Sequence, residues 1–389
     1  MTCPRCQEDA GFVGYREKYI RSLAGEMRLS RPYYHCQHCH QGIWPWDELL
    51  RLSPERLTPG AQEVTSLLGI LSSFGKAADR VLEKTAGLRL SESTVERTSE
   101  GAGERLGEWL QAGEVFGPQV AWKWHRDAEG KTCAYVGVDA TGIMMQGPDG
   151  AKAEGRMVNV GMIFNPQPRA VKDQDLCKPC DGVRYLAGLY TLAELGVQLR
   201  RQAAQVGMDA AERWVALTDG GSGLEHFIDA NFPRAEKIVD FRHGSEYVND
   251  FAKVYRPGQD GETLADTWCH QLKHEGGKTL LAVFEGLDRG QMTTTAQQGY
   301  DKTLTYFRNQ VHRMDYPTYL SKGWQIGTGA VESACKTVVN QRLNMGGMRW
   351  GEGGSDAVCH LRALYCGDAD QWDAFWYHVP LKRQAKAAA

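Results

Sequence analysis

Two β-rich runs, each ending in an aspartate, constrain this chain more than any other feature. Residues 132–139 read Thr-Cys-Ala-Tyr-Val-Gly-Val-Asp, with Ala134, Val136 and Val138 alternating with Tyr135 and Gly137 before Asp139. Residues 213–219 read Arg-Trp-Val-Ala-Leu-Thr-Asp and are followed by Gly220-Gly221-Ser222-Gly223. Two buried strands that stop at an acid read as carboxylates at the carboxyl edge of a sheet. The small residues beyond them leave room for a metal and a polymer backbone. Taken singly, a strand-end aspartate is as readily a helix N-cap or a turn residue.

A third acid follows at a distance. The stretch 326–350 reads IGTGAVESACKTVVNQRLNMGGMRW. Gly327 and Gly329 suit a tight turn, and a helix begins near Ala330. Val331, Ala334, Cys335 and Val338 follow the i, i+3, i+4, i+7 spacing of a core-facing stripe, with Glu332, Ser333, Lys336 and Asn340 on the polar face. Glu332 in the first turn could serve a metal or a phosphate. It could equally form a surface i, i+4 ion pair with Lys336.

The segments VGVDATG, ALTDGGSGL and the Glu332 block together resemble the catalytic blocks of bacterial insertion-sequence transposases of the ISKra4 type. The similarity extends over most of the chain, from the amino-terminal cysteines to the Trp-rich carboxyl end. It implies a DDE enzyme on an α/β, ribonuclease-H-like core at residues 130–350. Asp139, Asp219 and Glu332 would then hold two divalent ions, Mg²⁺ or Mn²⁺, since hard cations prefer oxygen ligands. The resemblance also implies cutting of DNA at element ends, transfer of the strands to target DNA, and action as a homodimer. Asp240-Phe241-Arg242-His243 resembles an acid-x-x-His signature of several DDE families. His243 is therefore a catalytic candidate that could hydrogen-bond a carboxylate or a DNA phosphate, although a lone histidine is also commonly just a satisfied polar residue.

Taken in order, the chain has four parts. Cys3-x-x-Cys6 and Cys36-x-x-Cys39 form two knuckles, which read as a zinc ribbon over residues 1–48 with a β-hairpin around 12–15 and 27–34. His35, His38 or His40 could replace a thiolate, and Arg16, Lys18, Arg21, Arg28 and Arg31 suit phosphates or a solvated face. Residues 49–118 read as helical. Gly87 ends one helix and Ser93-Thr94-Val95-Glu96 caps the next. This is either a helix-turn-helix with Arg97 on the reading helix or generic helix packing. Residues 256–323 are polar and helical, an all-α insertion that separates Asp219 from Glu332. His270-x-x-x-His274 and Gly276-Gly277-Lys278-Thr279 there lack the Glu of a zinc protease and the first Gly of a phosphate loop. Residues 351–389 form a helical tail in which Trp372, Phe375 and Trp376 pack and Lys382–Ala389 is disordered.

Between these parts, residues 165–183 read as a loop. Its third pair, Cys177 and Cys180, is either two loop thiols or a second metal site. The turn at Gly147-Pro148-Asp149-Gly150 joins two paired strands. Lys336, Arg342 and Arg349 with Trp350 make a basic, aromatic stretch suited to DNA.

Composition sets the limits. With 389 residues, 24% charged and 42% hydrophobic, the chain fits an ordinary globular protein. No apolar run approaches a membrane span, and eleven cysteines without a secretory signal suggest a reducing, cytoplasmic setting with metal binding as the first use. The net charge of −3 sits awkwardly with DNA binding, because phosphate contacts come from Lys and Arg. Rival functions are a ribonuclease-H-like nuclease without strand transfer, a zinc-ribbon DNA-binding regulator, and a hydrolase of small phosphates.

Overall fold

The computed structural model describes residues 1–147, 151, 153–167 and 180–377. The turn at 148–150, Cys177 and the segment 382–389 lie outside the described residues.

The amino-terminal cysteines sit at the base of a long hairpin. Strand β1 (Ala10–Ser22) pairs antiparallel with β2 (Gly25–Cys36), and the short β3 (Gly42–Ile43) adds to β2. The hairpin is longer than the spacing of apolar residues suggests. Most of its length is exposed, so burial left little periodic signal to read. The helices α1 (Pro45–Leu49), α2 (Pro59–Leu71), α3 (Phe74–Lys76), α4 (Leu82–Ala86) and α5 (Glu92–Ala112) follow. Gly87 ends α4 with φ +67°. The start of α5 differs from the expected capping box. Ser91, two residues earlier, is the N-cap and accepts from the Thr94 N–H at 3.3 Å. The buried stripe of α5, from Val95 through Leu106 to Leu110, makes it a packed core helix.

The central sheet has five strands in the order β6-β5-β4-β7-β8. Strand β5 (Arg156–Pro166) runs antiparallel to both of its neighbours, β4 (Cys133–Ile143) and β6 (Cys180–Gly188). Strands β7 (Arg213–Thr218) and β8 (Ala235–Val239) run parallel to β4. This mixed α/β sheet is compatible with the expected ribonuclease-H-like core. Two readings need correction. Strand β4 does not stop at Asp139 but continues to Ile143, because β5 pairs with it antiparallel along that length. Residues 165–183 are not all loop either, since β5 runs to Pro166 and Cys180, half-buried, opens β6.

Helices cover both faces of the sheet. On one, α6 (Leu192–Gln205), entered through a capping box of Thr191 and Glu194, lays Leu195 and Leu199 over Gly161. Then come α7 (Leu224–Asn231) and α8 (Phe241–Tyr255), followed by α9 (Gln259–Glu275), α10 (Gly277–Glu285), α11 (Thr294–Gln310) and α12 (Tyr316–Ser321), with helical turns and loops between them. On the opposite face a continuous helix is built from α13 (Gly329–Ala334), a widened π-helical stretch at Cys335–Asn340, and α14 (Gln341–Leu343). Last are α15 (Glu352–Cys366) and α16 (Ala369–Tyr377). No helix among the described residues is long and apolar enough to cross a membrane.

Helix α5 crosses α15 at a glycine. A Cβ on Gly103 would lie 2.1 Å from the Ala357 carbonyl oxygen, so the backbones touch directly. Gly103→Ala is therefore expected to destabilise the chain by about 1–3 kcal/mol through overpacking. Gly101→Ala, with open space around its Cβ, should instead add a few tenths to ~1 kcal/mol through helix propensity. Thermal unfolding of the two variants checks the pair; equal midpoints would contradict the close crossing.

Candidate active site and metal centre

Asp139 and Asp219 stand side by side. Val138 pairs with Thr218 in the parallel β4–β7 register, so the two acids are the next positions on adjacent strands. Both are half-buried. The Asp219 carboxylate accepts the Gly221 N–H at 2.7 Å, and Asp139 accepts the Ala140 N–H at 2.7 Å. Glycines beyond β7 make this possible: Gly220 at φ +87° and Gly223 at φ +82° turn the chain where a side chain would be strained.

The Glu332 helix reaches these acids by packing on β4. Val331 sits over Gly137 so closely that a Cβ there would be 2.3 Å from the valine Cγ2. One turn on, the π-helical widening brings the Cys335 thiol to 3.5 Å from Asp139 Oδ2, and Asn340 Oδ1 accepts from the Thr141 hydroxyl at 3.0 Å. Burial, and then the charges of Asp139, Glu332 and Asp219, push the Cys335 thiol well up. Asp139 is itself raised, by burial first and also by Asp219 and Asp240, against the lowering effect of the Ala140 N–H and the Cys335 thiol.

Glu332 is exposed, and its partner is not Lys336 but Arg242, whose guanidinium is 3.5 Å from Glu332 Oε2. The π-helical turn starting at Cys335 breaks the regular i, i+4 geometry that a pair with Lys336 would need. Thr328 and Asp240 anchor the entry to the helix. The Asp240 carboxylate, 2% exposed, accepts from the Thr328 hydroxyl at 2.7 Å, the Thr328 N–H at 3.2 Å and the Arg242 N–H at 2.9 Å. Sequence reasoning missed the roles of Thr328, Cys335 and Arg242; only the four-residue step from Thr328 to Glu332 hinted at the first.

The remaining candidates divide. His243 is half-buried, lies 3.5 Å from Glu246, and sets its ring against Tyr247 and Tyr306. Lys336 and Arg349 are exposed. Arg97 is exposed and paired with Glu55 at 3.4 Å. Arg342 is a correction. It is 1% exposed, donates to the Gly69 carbonyl at 2.9 Å and lies over the rings of Phe74 and Trp350, so no phosphate can reach it. Trp350, 6% exposed with its indole N–H bound to the Leu343 carbonyl, is equally withdrawn.

At the amino terminus Cys3, Cys6, Cys36 and Cys39 converge with all four sulfurs within 4.8 Å of one another. The Cys3–Cys39 and Cys6–Cys36 sulfurs are 3.5 Å apart, close to the edge of a tetrahedron with Zn–S bonds of ~2.3 Å. Burial pushes the Cys3 thiol up, but hydrogen bonds from the backbone of Cys6 and Arg5 and from the neighbouring thiols bring it down to about 6. The four thiols could hold a structural zinc ion, with no histidine needed. Among the described residues this is the only such compact group; the three carboxylates are more widely set.

Compared with protein families and with curated proteins, the sequence matches none. Among solved structures it is similar to a Drosophila P element transposase strand transfer complex, at 9% identity and a TM-score of 0.37, covering 77% of this chain and 91% of that one. So loose a superposition adds nothing to the geometry above.

Two outcomes are expected. Cys36→Ser should abolish zinc retention, measured as about one zinc per chain in the parent, and unfold the hairpin while hydrogen exchange in the central sheet stays unchanged. For Asp139 the sign is set by its raised pKa. A carboxyl raised in the folded state favours the protonated form, so the metal-free protein gains stability as pH falls through that pKa and loses it above. Asp139→Asn should therefore raise the thermal midpoint at pH 7 without metal; a lowered midpoint would contradict the crowding of these acids.

Proposed function

We propose that this protein is a DDE transposase of the ISKra4 type, cutting DNA at insertion-sequence ends and joining the strands to target DNA on a ribonuclease-H-like core. The observation that carries the reading is that Asp139 and Asp219 occupy adjacent positions on neighbouring strands while the Glu332 helix packs on the same strand, its Cys335 thiol 3.5 Å from Asp139. Three acids on two strands and a helix fit hard cations better than any covalent chemistry.

Asp139, Asp219 and Glu332 would together hold the metals. Mg²⁺ or Mn²⁺, when bound, activates a water or 3′-hydroxyl and stabilises the leaving 3′-oxygen. The chain's own part is positional. Asp240 and Thr328 hold the Glu332 helix in place, and Arg242 must release Glu332 as metal binds. Beside Asp219 an open groove of about 540 Å³ is lined by Gly220, Tyr247, Lys302 and Tyr306. The two tyrosine rings stack at 3.9 Å, and the Tyr306 hydroxyl is buried without a partner. A DNA strand could lie there, with His243 at its wall. The zinc-binding hairpin would add a further DNA contact. Action as a homodimer and a cytoplasmic setting follow from the family resemblance.

Purified protein is incubated with duplexes carrying candidate element ends and Mg²⁺ or Mn²⁺, beside Asp219→Asn and Glu332→Gln. Nicking followed by strand joining, lost by a factor of at least about 10³ in either variant, is the expected result. Normal cleavage by Asp219→Asn would sink the assignment. Nicking without joining would move the protein to the nuclease reading.

A further inference from the structure

The amino-terminal hairpin holds several large apolar side chains in solvent, foremost Phe12, Tyr15 and Tyr19 at 55%, 62% and 49% exposed. Clustered exposure of this kind marks a surface that meets a partner. Plain alternation would set Phe12 and Tyr15 on opposite faces of β1. A β-bulge at Val13 shifts the register, so that Phe12 lies opposite Tyr34 and Tyr15 opposite Pro32. Phe12 and Tyr15 therefore share a face, and Tyr19, four residues on, joins them. The rings agree with this placement: Phe12 meets Tyr15 and Tyr34 edge to face at 5.6 and 5.4 Å. The other face of the hairpin is already occupied, with Lys18 and Arg31 on Asp47 and Ile20 buried.

Arginines accompany the rings. At one end of the stripe Tyr34 packs against the four-cysteine group. At the other, Tyr19 and Arg21 line an open pocket of about 240 Å³ together with Arg56 and Arg97, both exposed. Arg28 lies opposite Tyr19. Three acids share this face. Glu17 lies 3.4 Å from Arg28 and Glu55 lies 3.4 Å from Arg97, while Glu26 lines the pocket. Over residues 10–36, Arg16, Lys18, Arg21, Arg28 and Arg31 outnumber Glu17 and Glu26, so the hairpin is positive within a chain of net charge −3. From Phe12 to Arg21 the strand covers about 30 Å at ~3.3 Å per residue, long enough for several nucleotides. Flat rings interleaved with guanidiniums suit a nucleic-acid strand, whose bases stack on the rings while its phosphates meet the arginines.

We propose that this face takes a single-stranded segment of DNA, with bases on Tyr15 and Tyr19 and phosphates on Arg21, Arg28, Arg56 and Arg97. A duplex keeps its base faces stacked on one another and offers the rings nothing comparable. The proposal rests on the reading of the protein as a DNA-handling enzyme and specifies the form of DNA the hairpin meets. It does not require the three acids.

Fluorescence anisotropy on the full chain, zinc-loaded and without Mg²⁺, tests it. The probes are a labelled thymidine 12-mer, the same backbone carrying abasic sites, and a 12-base-pair duplex. The 12-mer is expected to bind at least about tenfold tighter than the abasic strand. Tyr15→Leu with Tyr19→Leu should weaken the 12-mer roughly tenfold and leave the duplex unchanged, while Tyr15→Phe, which keeps the ring, binds like the parent. Arg56→Gln should weaken the 12-mer and the abasic strand alike and flatten their salt dependence. Both tyrosines lie at the surface, so zinc content and thermal midpoint should match the parent. The inference is overturned if the abasic strand binds as well as the 12-mer, or if the leucine pair binds the 12-mer like the parent. Equal weakening of the duplex would also overturn it, as would a dimer that the leucine pair dissociates in size-exclusion chromatography, which would give the face to a second copy. Asp219→Asn should bind the 12-mer like the parent. A chain that binds through the tyrosines but cleaves nothing would lose the transposase reading alone, and one that cleaves with indifferent tyrosines would lose this inference alone.

Discussion

Everything at the candidate site depends on how closely α13 approaches β4. Val331 occupies the space a side chain at position 137 would need, so the glycine lets the helix settle onto the strand. Only from that depth can Cys335 touch Asp139 and Glu332 share its surroundings with two strand aspartates. The approach is pinned from the other side by Asp240. Its carboxylate closes the start of α8 and binds Thr328, just before α13, while the Phe241 N–H donates to the Ile326 carbonyl at 2.8 Å. One buried acid thus ties the end of β8 to the beginning of the glutamate helix. That arrangement leaves Asp139 and Asp219 half-buried on neighbouring strands and Glu332 exposed on the helix above them.

The protein's cations are distributed by a different rule. Arg342 donates to the Gly69 carbonyl, and Arg362 donates to the Ile70 and Val338 carbonyls at 2.7 Å. Gly69 and Ile70 lie in the last turn of α2, where helix carbonyls lack an intrahelical partner. These guanidiniums answer that need inside the core, where burial holds Arg342 down to about 10. Cations spent this way hold helices together and offer nothing to a phosphate. Of the basic residues around the glutamate block, Lys336 and Arg349 remain at the surface. The net charge of −3 therefore says little about the charge of any one surface.

Much of the site was legible because it rests on local patterns. Strand β7 ends one residue before Asp219, β8 one residue before Asp240, and Glu332 lies in the first turn of its helix, as alternation and glycine placement indicate. The cysteine spacing likewise announces a four-sulfur group, and the sulfurs meet. What misled was partnership. An amphipathic reading gave Glu332 to Lys336, but the π-helical turn and the neighbouring α8 give it to Arg242. Arg342 and Trp350 read as a DNA grip because basic and aromatic residues look alike whether they face solvent or a core.

The sequence by itself determined where the strands and the acids lie, since side-chain alternation, small residues after an aspartate and paired cysteines act over a few positions. Tertiary structure alone decided which acids lie on neighbouring elements, which arginines are buried in the core, and that the first helices and the last enclose a cavity. Those properties depend on contacts between residues hundreds of positions apart, such as Arg51 with Trp376, and no local spacing carries them.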